Sequence, residues 1–215
     1  MKSVLLIGLG RFGKHIALEL NKYNHEIMAV DDDEEKLNEV LPYVTNGQIG
    51  NSTRADFLDS LDIPGYDICI VAIGNDFQSS LETTSLLKEL GGKKVIARAE
   101  RDIQEKFLLR NGADEVVYPE RELAKWIAIR CSNNHIQEYI PYDREYAIVE
   151  MDLPENWIHK TVGGLDIRKK MGINIMGIRR DGRLQPFVTA ETECLPQDTV
   201  LILGSFEKLQ KYFSL

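Results

Sequence analysis

Two rhythms of hydrophobic positions alternate through the first half of the chain. Short apolar runs, SVLLIG, HEIMAV, YDICIVAIG, KKVIARA and DEVVYP, have strand length. Between them lie stretches whose apolar residues recur every three or four positions. In RFGKHIALELNKY, Phe12, Ile16, Leu20 and Tyr23 fall on one helical stripe. DEEKLNEVLP, TRADFLDSLDI, NDFQSSLETTSLLKELGG and RDIQEKFLLRNGA predict further helices, and YVTNGQIG a weak strand. DEEKLNEVLP carries acids in its first turn and Pro42 just beyond its end. The run ICIVAI is apolar on both faces, as a central parallel strand is. Strand–helix alternation through about residue 118 predicts an α/β fold, a Rossmann-type doubly wound parallel sheet.

The rhythm then changes. ERELAKWIAIRCSN predicts one more helix, with Leu123, Trp126 and Ile127 on or beside one stripe. HIQEYIPYDREY is polar, contains Pro141, and reads as a connection. YAIVEMDL alternates as a half-buried strand, and VGGLDIRKKMG predicts a short helix. INIMGIRR and GRLQPFV predict a hairpin about Asp181-Gly182, a strong turn dipeptide. TVLILGS predicts a strand and FEKLQKYF a closing helix. The expected organisation is a nucleotide-binding domain over 1–118, a crossover helix and hinge over 119–142, and a smaller C-terminal α+β domain over 143–215.

Glycines at 8, 10 and 13 follow the first strand and open the first helix. In a dinucleotide fold Gly8 makes the tight turn, Gly10 lets backbone approach phosphate, and Gly13 lets the helix pack close to the sheet. The helix N-terminus then offers unpaired amides to an anion. Asp31 ends the second strand, 21 residues after Gly10, where a ribose-binding acid is expected. A carboxylate there repels a 2′-phosphate, which disfavours NADP. Asp32 or Asp33 caps the following helix. Arg11 is the unusual residue, because a cation opening a helix opposes the helix dipole unless an anion faces it. Its planar fork matches phosphate oxygens, and terminal phosphates present more charge than a bridged diphosphate.

Other strand ends point into the same crevice, since ligands of doubly wound sheets gather at the carboxyl ends of strands. They supply Asn51 and Ser52 for an adenine edge, Gly74 and Asn75 over the phosphates, and Arg98 and Glu100. The candidate nucleotide set is Gly8, Gly10, Arg11, Phe12, Gly13, Asp31, Asp32, Asn51, Ser52, Ala72, Ile73, Gly74, Asn75, Arg98 and Glu100.

Composition narrows the partners. The net charge is −8 with no basic block, which argues against nucleic acid. No run of about 18 apolar residues appears, so no membrane span is expected. The apolar N-terminus runs straight into the glycines and reads as a strand, not a signal peptide. Cys69, Cys131 and Cys194 are far apart and read as reduced thiols without metal-ligand spacing. None of the four histidines has a companion at triad-like spacing, and no GxSxG occurs, so a sensor is expected rather than an enzyme.

GLGRFGKHIALEL, AVDDDEEKLNEV, YDICIVAIGNDFQSSLETTSLLKELG, GADEVVYPERELAKWIA and GGLDIRKKMGINIMGIRR resemble the RCK (KTN) regulators of potassium transport. The resemblance is to the single-unit cytoplasmic subunits of Ktr-type uptake systems, with TrkA-like proteins next. It covers nearly the whole chain as one N-terminal and one C-terminal RCK lobe. It implies binding of ATP and ADP, or of NAD(H) as in several Trk types. It implies that Arg11 contacts phosphates, including across a dimer interface, and that Arg98 sits where a basic residue approaches the terminal phosphate. Glu120 matches a glutamate associated with a cation (Mg2+, Ca2+ or Na+) between paired protomers. In some relatives the C-terminal lobe binds cyclic di-AMP, near positions matching Ile167, Arg168, Asn174, Ile175 and Pro186. Ile173 stands where a histidine is often found, a departure from that pattern. The resemblance further implies a homodimer assembling into an octameric ring under a membrane potassium translocating subunit (KtrB/TrkH-like). The location would then be cytoplasmic, peripheral on the inner face of the cell membrane.

The alternatives are an NAD(H)-binding TrkA-type regulator and an NAD-dependent oxidoreductase. The second needs a proton donor from residues 140–215, and none is visible. A redox-sensing repressor would need a helix-turn-helix arm and a basic face, which the sequence lacks.

Overall fold

Strand β1 (Ser3–Ile7) is buried on both faces, and that fact organises the N-terminal half. Leu5 and Ile7 join one apolar cluster, with Val71 and Ala97, while Leu6 joins another, with Ala17 and Ala29. Each such buried leucine or isoleucine contributes roughly 1.5–3 kcal/mol by leaving water. The computed structural model describes residues 1–143 and 145–213. Arg144, in the predicted connection, and Ser214 and Leu215, at the end of the predicted C-terminal domain, lie outside the described residues.

The chain divides into two units, Met1–Glu120 and Arg121–Leu215. The first holds β1, β2 (Glu26–Asp31), β3 (Asn46–Ile49), β4 (Ile68–Val71), β5 (Val95–Arg98) and β6 (Glu115–Val117). Its helices are α1 (Arg11–Lys22), α2 (Glu34–Val40), α3 (Ala55–Asp59), α4 (Phe77–Glu89) and α5 (Asp102–Arg110). Helix α6 (Pro119–Ser132) begins in this unit and continues into the next. The strands order as β3-β2-β1-β4-β5-β6, and every pairing is parallel. This is the expected doubly wound sheet. Its order reverses between β1 and β4, and the crevice that forms there is the usual ligand site of such sheets.

The second unit contains β7 (Ile136–Pro141), β8 (Tyr146–Asp152), α7 (Val162–Leu165), α8 (Ile167–Lys170), β9 (Asn174–Arg180), β10 (Arg183–Gln185), β11 (Thr199–Ser205) and α9 (Phe206–Phe213). Its sheet, β10-β9-β11-β8-β7, is antiparallel throughout. The β9–β10 hairpin turns at Asp181 (φ +49°) and Gly182 (φ +75°), as the Asp-Gly signal predicts.

Two expectations fail here. HIQEYIPYDREY is not a plain connection, since Ile136–Pro141 form an edge strand on β8. The ladder shifts register between Ile136 and Glu138, so the buried residues are Ile136 and Tyr139. A spacing of three hides the alternation by which a strand is recognised. VGGLDIRKKMG is not one helix but two single turns, broken at Asp166, which is left-handed at φ +51°.

The core of this unit takes in Trp157, Ile178, Val200, Ile202 and Leu209. Two buried acids accompany it, each paired to an arginine. Glu150 accepts from Arg179 Nε at 2.6 Å, and Asp198 from Arg180 Nη2 at 2.7 Å. Among the described residues no helix is long and apolar enough to cross a membrane.

Candidate functional site

A crevice of about 990 Å³ opens at the carboxyl end of the parallel sheet. Its floor is the glycine turn. Gly8 has φ +89°, and its amide donates to Val30 O at 2.8 Å. A Cβ on Gly8 would lie 3.0 Å from the Ile73 amide nitrogen, so β1 and β4 pass too close for a side chain there. Gly10 is the N-cap of α1, and a Cβ added to it would meet nothing within 4 Å. That open space faces a helix start with no capping side chain and no acid in its first turn. The first amides of α1 are thus left for an anion from outside the chain. Gly13 does not line the crevice. A Cβ there would overlap the Gly8 carbonyl oxygen, so its role is close helix–sheet packing.

Asp31 is 8% exposed and both its oxygens are engaged. Oδ2 accepts from the Leu9 amide at 2.6 Å and Oδ1 from the Asp33 amide at 3.0 Å. Lys36 Nζ stands 3.7 Å from Oδ1. A carboxylate oxygen can accept from more than one donor, so these bonds do not exhaust its acceptor capacity. Asp33, not Asp32, caps α2, accepting from the Glu35 and Lys36 amides. Lys36, its hydrogen-bond partner, holds Asp33 below the ordinary aspartate range, and Asp33 and Asp31 in turn raise Lys36. Asp32 is exposed on the crevice wall.

Asn51 and Ser52 line the far wall. Asn51 Oδ1 is used locally, accepting from Thr53 N at 2.9 Å, which leaves its amide group for a ligand. Ser52 is buried, and its hydroxyl pairs with Thr83 at 2.9 Å. Ala72, Ile73, Gly74 and Asn75 form the lip between β4 and α4. Asp76 caps α4 through Ser79.

Arg98 ends β5 with its side chain 15% exposed. Nη2 donates to Glu120 Oε1 at 2.5 Å and lies 3.1 Å from Glu100 Oε1. Its guanidinium sits 5.4 Å from the Phe12 ring centroid. Burial pushes the Glu120 carboxyl up, but its own backbone amide, Arg98 and Arg11 outweigh this and hold it below the ordinary glutamate range. Arg11 is exposed on the first turn of α1, and no hydrogen bond or ion pair of its side chain occurs among the described residues.

Fourteen of the fifteen predicted nucleotide residues line this one crevice, Gly13 being the exception, and Glu120 lines it too. Sequence reasoning missed Lys14, His15, Lys36 and Glu39. Lys14 and His15 lie three and four positions after Arg11, on the same helix face, a spacing that would have found them. The lining carries Arg11, Lys14, Lys36 and Arg98 against six acids, Asp31, Asp32, Glu39, Asp76, Glu100 and Glu120. An anionic ligand must therefore compete with carboxylates already paired to Lys14, Lys36 and Arg98. Among the described residues no cluster of three His, Cys, Asp or Glu side chains is placed to hold a metal ion.

In the second unit a smaller cavity of about 310 Å³ is lined by Ile167, Arg168, Asn174 and Ile175, with Gly163 and Thr189. Pro186, also expected there, is not among the lining residues. It follows the end of β10 at Gln185.

The TrkA-N domain family matches residues 4–119 and the TrkA-C domain family residues 146–215. The chain is 38% identical over 212 residues to Ktr system potassium uptake protein C of Bacillus subtilis (strain 168), covering 98% of this chain and 96% of that protein. It is 35% identical to Ktr system potassium uptake protein A of the same organism, covering 98% and 95%. Among solved structures, the GsuK channel bound to NAD superposes with a TM-score of 0.68 at 20% identity, covering 97% of this chain and 38% of that one. The GsuK RCK domain gives 0.65 at 20% identity, covering 97% and 46%. The chain thus spans less than half of either GsuK chain, and the likeness establishes the RCK fold. With TrkA-N and TrkA-C domains in series and relatives matched over nearly their full length, the chain belongs to the TrkA family, among the Ktr potassium uptake proteins.

Proposed function

We propose that this chain is the cytoplasmic, nucleotide-sensing regulatory subunit of a potassium uptake system, peripheral on the inner face of the membrane. The observation that carries the reading is the start of α1. It is uncapped, has Gly10 open to the crevice, carries at its first position an exposed arginine whose side chain makes no hydrogen bond among the described residues, and lies across from a buried acid on β2. A helix N-terminus with an exposed arginine is suited to phosphate, and the acid to a ribose.

In this reading the α1 amides and Arg11 hold the phosphates, Asp31 receives the ribose, and Asn51 and Ser52 meet the base. ATP and ADP are the favoured ligands, because the Arg11 side chain makes no hydrogen bond among the described residues and a terminal phosphate offers it more charge than a bridged diphosphate. NAD or NADH is the alternative, supported by the fit of Asp31 to a ribose diol and by the NAD-bound GsuK channel of the same fold. The chain works as a binding module rather than an enzyme, a reading supported by its likeness to the Ktr potassium uptake proteins.

Residues 119–142 serve as crossover and hinge between a nucleotide domain over 1–118 and a C-terminal domain over 143–215. Homodimers assemble into an octameric ring against a membrane subunit that translocates potassium. A cation (Mg2+, Ca2+ or Na+) would use Glu120 only together with ligand phosphates or a second protomer. The small cavity at Arg168 and Asn174 would take cyclic di-AMP, Arg168 supplying charge for a phosphate. Nucleotide regulates transport only if ATP and ADP favour different shapes of the assembly.

Calorimetric titration of the full chain with ATP, ADP, NADH and cyclic di-AMP, with light-scattering mass in parallel, tests this. Micromolar ATP and ADP binding to a species larger than a dimer is the expected result. A monomer that binds none of the four contradicts it.

A further inference from the structure

Arg98 is shared by more anions than it can balance. Its Nη2 donates to Glu120 and lies against Glu100, two carboxylates on one guanidinium. Its Nε is buried and has no acceptor among the described residues. An orphaned buried donor is destabilising, so the present placement of the guanidinium leaves one bond unmade. The guanidinium lies against the glycine lip. A Cβ on Gly74 would collide with Nη1 of Arg98 and come within 2.6 Å of Glu100 Oε1, so the lip between β4 and α4 is bare where the guanidinium lies. Phe12, from the first turn of α1, supplies an aromatic face at 5.4 Å.

Glu120 is the exposed member of this group, its side chain 58% exposed, and it stands in the first turn of α6. That helix continues past the end of the first unit. A phosphate group offers the same two-oxygen edge as a carboxylate and more charge. We infer that Glu120 is an internal competitor for the ligand phosphate: without nucleotide it holds Arg98, and a bound phosphate takes Arg98 from it, releasing the first turn of α6. The inference rests on the nucleotide reading above and adds how occupancy of the crevice reaches the helix that leaves it.

A double-mutant cycle in the full chain tests the exchange. ADP and adenosine are titrated calorimetrically with EDTA present, so that no divalent cation bridges Glu120 to the ligand. Glu120→Gln is expected to bind ADP roughly threefold to fivefold tighter, the scale of one partly exposed ion pair. Adenosine, which has no phosphate, should bind both proteins equally. In an Arg98→Gln background the gain from Glu120→Gln should vanish, because the competed group is gone. The proposal is overturned if Glu120→Gln leaves ADP affinity unchanged or lowers it. It is also overturned if the gain persists without Arg98, which would make it a general effect of charge. If the wild type binds no ADP, ATP or NADH, the nucleotide reading itself fails and the exchange fails with it.

Discussion

The backbone amide of Leu9 donates to Oδ2 of Asp31 over 2.6 Å, tying the glycine turn after β1 to the end of β2. The acid expected to meet a ribose therefore also builds the phosphate turn. Asp31→Ala leaves the Leu9 and Asp33 amides without their acceptor. It should cost about 1–3 kcal/mol in stability. Asp31→Asn keeps one acceptor oxygen and should cost less. Urea unfolding midpoints compare the two, and equal loss from both would mean that the amide bonds do not carry the effect.

Gly10 and Gly13 separate ligand from scaffold. A methyl at Gly10 meets open space, and its φ of −60° suits alanine. Gly10→Ala should fold with stability within about 0.5 kcal/mol of wild type and weaken nucleotide binding. A methyl at Gly13 overlaps the Gly8 carbonyl. Gly13→Ala should destabilise by about 1–3 kcal/mol or more, as overpacking does. Thermal melts and ADP titration of both variants check the contrast.

The three thiols should react unequally. Burial pushes Cys69 up to about 11 and raises Cys194, while Cys131 is exposed on α6. Iodoacetamide on the native protein should label Cys131 alone, since the thiolate is the reactive form. Mass spectrometry reads this directly, and early labelling of Cys69 would contradict the burial of β4.

Acid should weaken the second unit through two buried pairs. Arg179 holds Glu150 below its ordinary range. Burial raises Asp198, but Arg180 and the Leu195 amide outweigh it and lower the carboxyl overall. A depressed native pKa adds stability that is present above the unfolded value, about 4, and is lost as pH falls through the native one. Urea midpoints should therefore drop from pH 4 downward, and less steeply in Asp198→Asn than in wild type. Arg180→Met, which leaves Asp198 buried without its partner, should cost on the order of 3 kcal/mol at pH 7.

Much of this was legible in the chain. Runs such as ICIVAI announce a central parallel strand because both faces are covered, and the glycines with Asp31 announce the crevice because their spacing follows from the turn they make. Strand β7 was hidden by its register shift, which moves the second buried residue to Tyr139. The break between α7 and α8 was hidden because Asp166, not a glycine, takes the left-handed conformation. The pairing of the Ser52 hydroxyl with Thr83 depends on packing across 31 positions, beyond the reach of local pattern. The Arg98–Glu120 pair likewise depends on the sheet bringing the end of β5 beside the start of α6.

In the proposed function Arg11 reads the terminal phosphate of an adenine nucleotide at the start of α1. Calorimetry of ATP, ADP and NADH on wild type and Arg11→Ala tests it most directly. ATP affinity should fall about tenfold or more, the scale of a charge-assisted bond, ADP less, and NADH least. ATP binding undiminished in Arg11→Ala, with NADH the tighter ligand, would contradict this role of Arg11.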